Sequence, residues 1–134
     1  SDLWDFNGGY KWTDKETQLL FEILRKPYIS RLTLVGGEPL DQAKELLPLL
    51  SKIRNEFPNL KIWIYSGRVF ELNVKDFDKC NCLTLCDVLV DGRFVDELKD
   101  LTLAFRGSSN QRIIDLKKTF ESHKVVLYDL EKEG

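Results

Sequence analysis

Three short apolar runs in this chain each break off at glycine. They are Arg31–Val35 before Gly36-Gly37, Leu60–Tyr65 before Ser66-Gly67, and Cys86–Val90 before Asp91-Gly92. Val, Ile, Thr, Trp and Tyr enrich these runs, and each is too short for a buried helix. Longer segments with helical or mixed character separate them. Parallel strands need such crossovers, so the alternation points to an α/β fold with a parallel sheet.

Read along the chain, Ser1 to Lys11 carries Asn7-Gly8-Gly9 and forms a loop or turn. Thr13 or Asp14 caps a helix that runs to about Arg25. Leu19, Leu20, Ile23 and Leu24 recur in it at helical spacing, and Pro27 stops it. Asp41 can cap a second helix, with Leu46, Leu47, Leu50 and Ile53 on one face, ending near Pro58. Pro48 inside it predicts a kink. Val69 to Leu85 is less regular and partly helical. Phe94 to Asp100 reads as a helical turn, and Arg106-Gly107-Ser108-Ser109 as a loop. Gln111–Leu116 and Lys124–Tyr128 read as two further strands, close enough in sequence for a hairpin. No repeat, low-complexity stretch or linker divides residues 1–134, so a single domain is expected.

Composition narrows the function classes. With 43% hydrophobic residues in 134, the chain can bury a core. A formal net charge of −2 points away from nucleic acid and anionic membranes. No apolar run approaches a membrane span, and no signal-peptide pattern opens the chain. The three cysteines, Cys80, Cys82 and Cys86, are an odd set, which argues for a reducing cytoplasm rather than a disulfide framework. Methionine is absent and the chain opens with Ser1, so an incomplete or processed translation product is expected.

Ligands of open parallel sheets and of (β/α) barrels sit at the carboxyl ends of the strands. Here those ends read Gly36-Gly37-Glu38-Pro39, Tyr65-Ser66-Gly67-Arg68 and Asp91-Gly92-Arg93. Glycine allows close approach of a ligand to the backbone, though any one such turn is ordinary. All three together, with carboxylates and arginines beside them, suit a zwitterion such as an amino acid. Its ammonium needs acceptors, and its carboxylate needs Arg or backbone donors.

The segment Gly36-Gly37-Glu38-Pro39-Leu40, directly after a strand, resembles the radical S-adenosylmethionine (SAM) enzymes. Wider matches follow in order: Ser1-Asp2-Leu3-Trp4, Ile62-Trp63-Ile64-Tyr65-Ser66-Gly67, Asp87-Val88-Leu89-Val90-Asp91-Gly92-Arg93-Phe94, and Arg106-Gly107-Ser108-Ser109-Asn110-Gln111-Arg112. Together they resemble, over essentially the whole chain, the activating proteins of anaerobic (class III) ribonucleotide reductases. The resemblance implies an incomplete parallel (β/α) barrel. It implies a 4Fe-4S cluster held by a C-x3-C-x2-C loop, with SAM chelating one iron. Reductive cleavage of SAM, fed by a low-potential electron donor, would place a radical on a glycine of the reductase catalytic subunit. By the same resemblance Gly36, Gly37, Glu38 and Pro39 would hold the methionine amine of SAM. Asp91 and Arg93 loosely match an Asp-x-Lys pair of related activases, and Ser66 sits at another strand end of the family.

The C-x3-C-x2-C loop is not in this sequence. In the family it lies just upstream of the segment that Ser1-Asp2-Leu3-Trp4 resembles, so the cluster loop and the first strand are expected upstream of Ser1. Cys80, Cys82 and Cys86 have C-x-C-x3-C spacing; Cys86 starts the third apolar run and the other two precede it. They should lie near its amino end, roughly 16 Å from the proposed site, and read as structural thiols. Trp63 is expected in the core, whereas Trp4 and Trp12 are expected at an exposed or mobile edge. His123 reads as a surface turn residue. Asn110 and Gln111 lie in a polar loop that the resemblance places near cofactor or partner. The chain by itself is expected to be inactive. A competing reading is a non-catalytic module, or a degenerate activase, that docks on the reductase.

Overall fold

The computed structural model describes residues 2–5, 14–36, 38–93, 95, 106 and 110–130, with the backbone alone for 2–5. Its five strands form one sheet in chain order: β1 (Asp2–Asp5), β2 (Arg31–Val35), β3 (Lys61–Ser66), β4 (Val88–Asp91) and β5 (Arg112–Asp115). β1 to β4 pair in parallel, and β5 is antiparallel to β4. The fold is α/β, as expected.

Alternation along each strand separates two apolar faces. Leu32 and Leu34 of β2, Ile62 and Ile64 of β3, Leu89 of β4 and Ile114 of β5 join one cluster with the helices. Trp63, Val88, Val90 and Ile113 point the other way and pack with Tyr65 and Tyr128. Trp63 is buried as expected, and meets Tyr128 edge-on at 5.3 Å between ring centroids. All four β4 residues are buried, as a strand covered on both faces requires.

Helix α1 (Asp14–Leu24) buries Leu20, Phe21 and Leu24. Helix α2 (Ala43–Glu56) buries Leu46, Leu49, Leu50 and Ile53. It starts later than expected, because Pro39–Gln42 form a 3-10 turn first and Gln42 takes the cap position. Asp41 instead pairs with Arg68 at 2.8 Å. Pro48 is exposed within an unbroken α2; on that solvent face water can serve the carbonyl that proline leaves without a donor. The irregular stretch resolves into α3 (Phe70–Asn73) and α4 (Phe77–Thr84), the latter capped by Asp76, which accepts from the Lys79 amide.

The expected Ser1–Lys11 loop carries a strand at Asp2–Asp5, and three strand expectations need correction. Cys86 and Asp87 precede β4, which begins at Val88. The expected Gln111–Leu116 strand shortens to β5, since the Asp115 carboxylate caps helix α5 (Leu116–Ser122) by accepting from the Lys118 amide. The expected second strand, Lys124–Tyr128, keeps one antiparallel bridge, Leu127 to Ile114. A helix therefore replaces the tight hairpin. His123 ends α5 in the left-handed region (φ 59°) and is exposed, as expected. Asn7-Gly8-Gly9, Trp12, the side chain of Trp4, most of Phe94–Asp100 and Gly107-Ser108-Ser109 lie outside the described residues, so the expectations placed on them do too.

One buried ion pair joins the amino ends of β3 and β4. Arg54 of α2 donates to the carbonyls of Leu60 (2.7 Å) and Leu85 (2.8 Å) and to the Asp87 carboxylate (2.8 Å). The Ile62 amide donates to the same Asp87 oxygen at 2.8 Å, and Lys117 lies 3.3 Å from the other. Burial pushes the Asp87 carboxyl up, but the Ile62 amide and Arg54 outweigh it and hold the group below its ordinary value. Such a group stabilises the fold above its unfolded pKa of about 4, and that stability is lost as pH falls through the lower folded value. Arg54→Met should cost roughly 2–4 kcal/mol at neutral pH, by leaving a buried charge poorly paired. In urea denaturation the gap between the two proteins should narrow below about pH 4, as Asp87 takes its proton. An equal gap at pH 7 and pH 3 would show that Asp87 is not the partner that matters.

Candidate functional site

Parallel register brings the carboxyl ends of β3 and β4 level: Ser66 pairs with Asp91. Beyond them opens a cleft of about 350 Å³ lined by Gly36, Tyr65, Ser66, Gly67, Gly92, Arg93 and Gln111. Gly36 (φ 137°) and Gly92 (φ 101°) leave β2 and β4 with backbone angles that side-chain-bearing residues rarely adopt. Of the residues singled out from sequence, Gly36, Ser66 and Arg93 line this cleft. Gly37 lies outside the described residues. Pro39 is buried at the start of the 3-10 turn and does not line the cleft.

Glu38 supports the cleft rim. Its carboxylate accepts from the Ser66 hydroxyl (3.0 Å) and the Gly67 amide (2.8 Å), with Arg68 3.9 Å away. Ser66 Oγ in turn accepts from the Arg68 amide (3.1 Å) and from Asn73 Nδ2 (3.0 Å). With two donors directed at that oxygen, its own proton is directed to Glu38. Asn73, fully buried, also donates to the Arg68 carbonyl at 3.1 Å. Nothing in the sequence singled out Asn73; a lone polar residue in an irregular helical segment carries no signal.

Asp91 and Arg93 part company. Asp91 is fully buried, and its carboxylate accepts from the Phe70 amide (2.6 Å) and, through both oxygens, from Arg112 (3.0 and 2.5 Å). It is therefore not presented to a ligand. Arg112 also reaches Glu71 at 2.6 Å, and that contact holds the Glu71 carboxyl below its ordinary range. Arg93 is exposed at the cleft and has no carboxylate partner among the described residues. The polar loop braces the same turn: Gln111 Nε2 donates to the Gly92 carbonyl (3.0 Å), Asn110 Nδ2 to the Arg93 carbonyl (2.7 Å), and Arg106 to the Gln111 carbonyl (2.7 Å). Tyr65 adds a half-buried phenol, pushed up by burial against a smaller opposing pull from Arg31. The cleft thus offers backbone edges and a cation to a ligand anion, with Glu38 bound behind its Ser66–Gly67 edge.

The cysteines do not fit an iron–sulfur cluster. Cys80 is half-buried on α4, while Cys82 and Cys86 are buried. The Cys82 thiol donates to the Ala43 carbonyl at 3.4 Å. Burial pushes all three thiols up, Cys82 to about 12, whereas cluster ligation takes thiolates. Among the described residues no group of three or more His, Cys, Asp or Glu is placed to hold a metal ion. The structural-thiol reading of these residues agrees with that geometry. Ellman's reagent at pH 8 should label Cys80 slowly and reach Cys82 and Cys86 only on unfolding. Anaerobic reconstitution with iron and sulfide should load equal iron on this chain and on a variant with all three changed to Ala. Iron lost with the cysteines would make them ligands after all.

Comparison with known proteins converges on one family. Residues 1–114 match the model of a 4Fe-4S single cluster domain. Over 114 residues the chain is 36% identical to the anaerobic ribonucleoside-triphosphate reductase-activating protein of Haemophilus influenzae, covering 82% of this chain and 72% of that protein. The Escherichia coli K12 protein of that name is 35% identical over 118 residues, 85% of this chain and 75% of its own length. The bacteriophage T4 protein is 35% identical over 112 residues, 82% and 69% of the two chains. No solved structure matches the chain at a significant level. Residues from Ser1 to beyond Ile113 thus follow one family pattern, and the chain belongs to the anaerobic ribonucleoside-triphosphate reductase-activating proteins.

Proposed function

We propose that this chain is the SAM-binding and reductase-recognising part of a cytoplasmic activase that installs a glycyl radical on the anaerobic reductase, using SAM and a low-potential electron donor. The observation that carries the reading is the cleft: Gly36, Gly92 and an arginine without a carboxylate partner among the described residues border one space at the strand ends. Support for a partial (β/α) barrel comes from β1 to β4, which follow chain order without a reversal. Doubly wound sheets reverse at their ligand site instead.

In this reading Arg93 meets the carboxylate of SAM, and the backbone at Gly36 closes on its methionine end. Glu38 draws the ammonium while it keeps Ser66 and Gly67 in place. Tyr65 supplies an apolar wall. None of these residues moves a proton; hydrogen-atom transfer needs binding and exclusion of water rather than an acid–base pair. The 4Fe-4S cluster of the family would need cysteines from outside residues 1–134, because the three present do not fit it. That misfit also favours the second reading, a non-catalytic or degenerate module that docks on the reductase.

Anaerobic equilibrium dialysis with radiolabelled SAM separates the two. Wild-type chain should bind SAM, and Arg93→Gln should weaken it about tenfold or more, the worth of a charge-assisted hydrogen bond. With a cluster-bearing segment added in trans, a glycyl-radical signal should appear on the reductase by electron paramagnetic resonance. Reductase binding without any SAM binding would favour the docking module and reject the enzyme reading.

A further inference from the structure

Asp91 stands beside the cleft, yet its buried carboxylate already accepts three hydrogen bonds from the protein. One of them, the Phe70 amide, begins α3 directly after the loop Gly67-Arg68-Val69. The other end of that loop is Ser66, whose hydroxyl lies on Glu38. This loop, whose first part (Ser66 and Gly67) lines the cleft, therefore hangs between two carboxylates, Glu38 at its start and Asp91 at its end. Gly92 and Arg93, which follow Asp91 in the chain, line the same cleft.

We propose that Arg112 is a positioning residue: it fastens Asp91, and through the Phe70 amide it sets where the Ser66–Val69 loop stands relative to Gly92 and Arg93. Arginine suits this task because its planar fork serves Asp91 with Nε and one terminal nitrogen while also reaching Glu71. Lysine keeps the charge but has no such fork. Glu71 is exposed and holds only the outer side of the guanidinium, so the buried half of the bridge carries the positioning.

The binding half of this inference rests on the cleft being the SAM site; the structural half does not. The test uses Arg112→Lys, Arg112→Met and Glu71→Gln in the full chain. Hydrogen exchange is followed at the amides of Gly67, Arg68 and Phe70, with Ile64 and Leu89 as core references, alongside dialysis against SAM. Arg112→Met should speed loop exchange relative to the core and weaken SAM binding, each about tenfold or more, since small misplacements are costly at a binding site. Arg112→Lys should restore part of both. Glu71→Gln should stay within about twofold on both, as removal of one exposed ion-pair partner does. Equal acceleration of loop and core amides in Arg112→Met would reduce the bridge to global stability and overturn the proposal. Local loop acceleration with unchanged SAM affinity would also overturn it. Should wild-type chain bind no SAM, the functional reading fails by itself, and the loop-to-core exchange ratio alone decides the role of Arg112.

Discussion

Parallel strands cannot be joined by a hairpin, so every link from β1 to β4 has to carry the chain back along the sheet. That constraint organises the rest of the molecule. The crossovers between β2 and β4 become helices or helical turns with apolar stripes, and these bury Leu32, Leu34, Ile62, Ile64 and Leu89 on a single face. The opposite face keeps a smaller cluster around Trp63, Val88 and Val90. All four strands then end on the same side, which is why glycines scattered from residue 36 to residue 92 border one cleft.

The two ends of the sheet use charge differently. At the amino ends, Arg54 is absorbed by carbonyls and by Asp87, an arrangement that ties α2 to β3 and β4 and leaves nothing for a ligand. At the carboxyl ends, Arg68 and Arg112 are also engaged, by Asp41 and by Asp91 with Glu71. Arg93 differs from all of these in having no carboxylate partner among the described residues. Among the described residues paired charges hold the rim, and at Arg93 a ligand's anion would have none of their ion pairs to break.

Family membership and local chemistry separate at the cysteines. The matched domain is one of iron–sulfur proteins, and an activating role belongs to the named relatives. The thiols of this chain are nevertheless placed as packing groups around α4 and the approach to β4. Count alone suggests a cluster; burial and position do not. An amino-acid type becomes a ligand only where geometry converges and the thiolate is stabilised.

By itself the sequence determined the strand and helix alternation, the glycine-ended strands, the buried Trp63 and the structural character of the cysteines. These follow from periodicity and backbone preference, which act over a few residues. It also placed Gly36, Ser66 and Arg93 at the carboxyl end of the sheet, because strand direction is implied by the crossovers. It misread the Gln111–Tyr128 region, where the Asp115 cap starts a helix inside what looked like a hairpin. Only the tertiary structure decided that Asp91 turns inward to Arg112 rather than toward a ligand, that Asn73 directs the Ser66 proton, and that Gln111 braces Gly92. Each of those choices depends on which donors a saturable acceptor meets first, and the donors come from elements far apart in the chain.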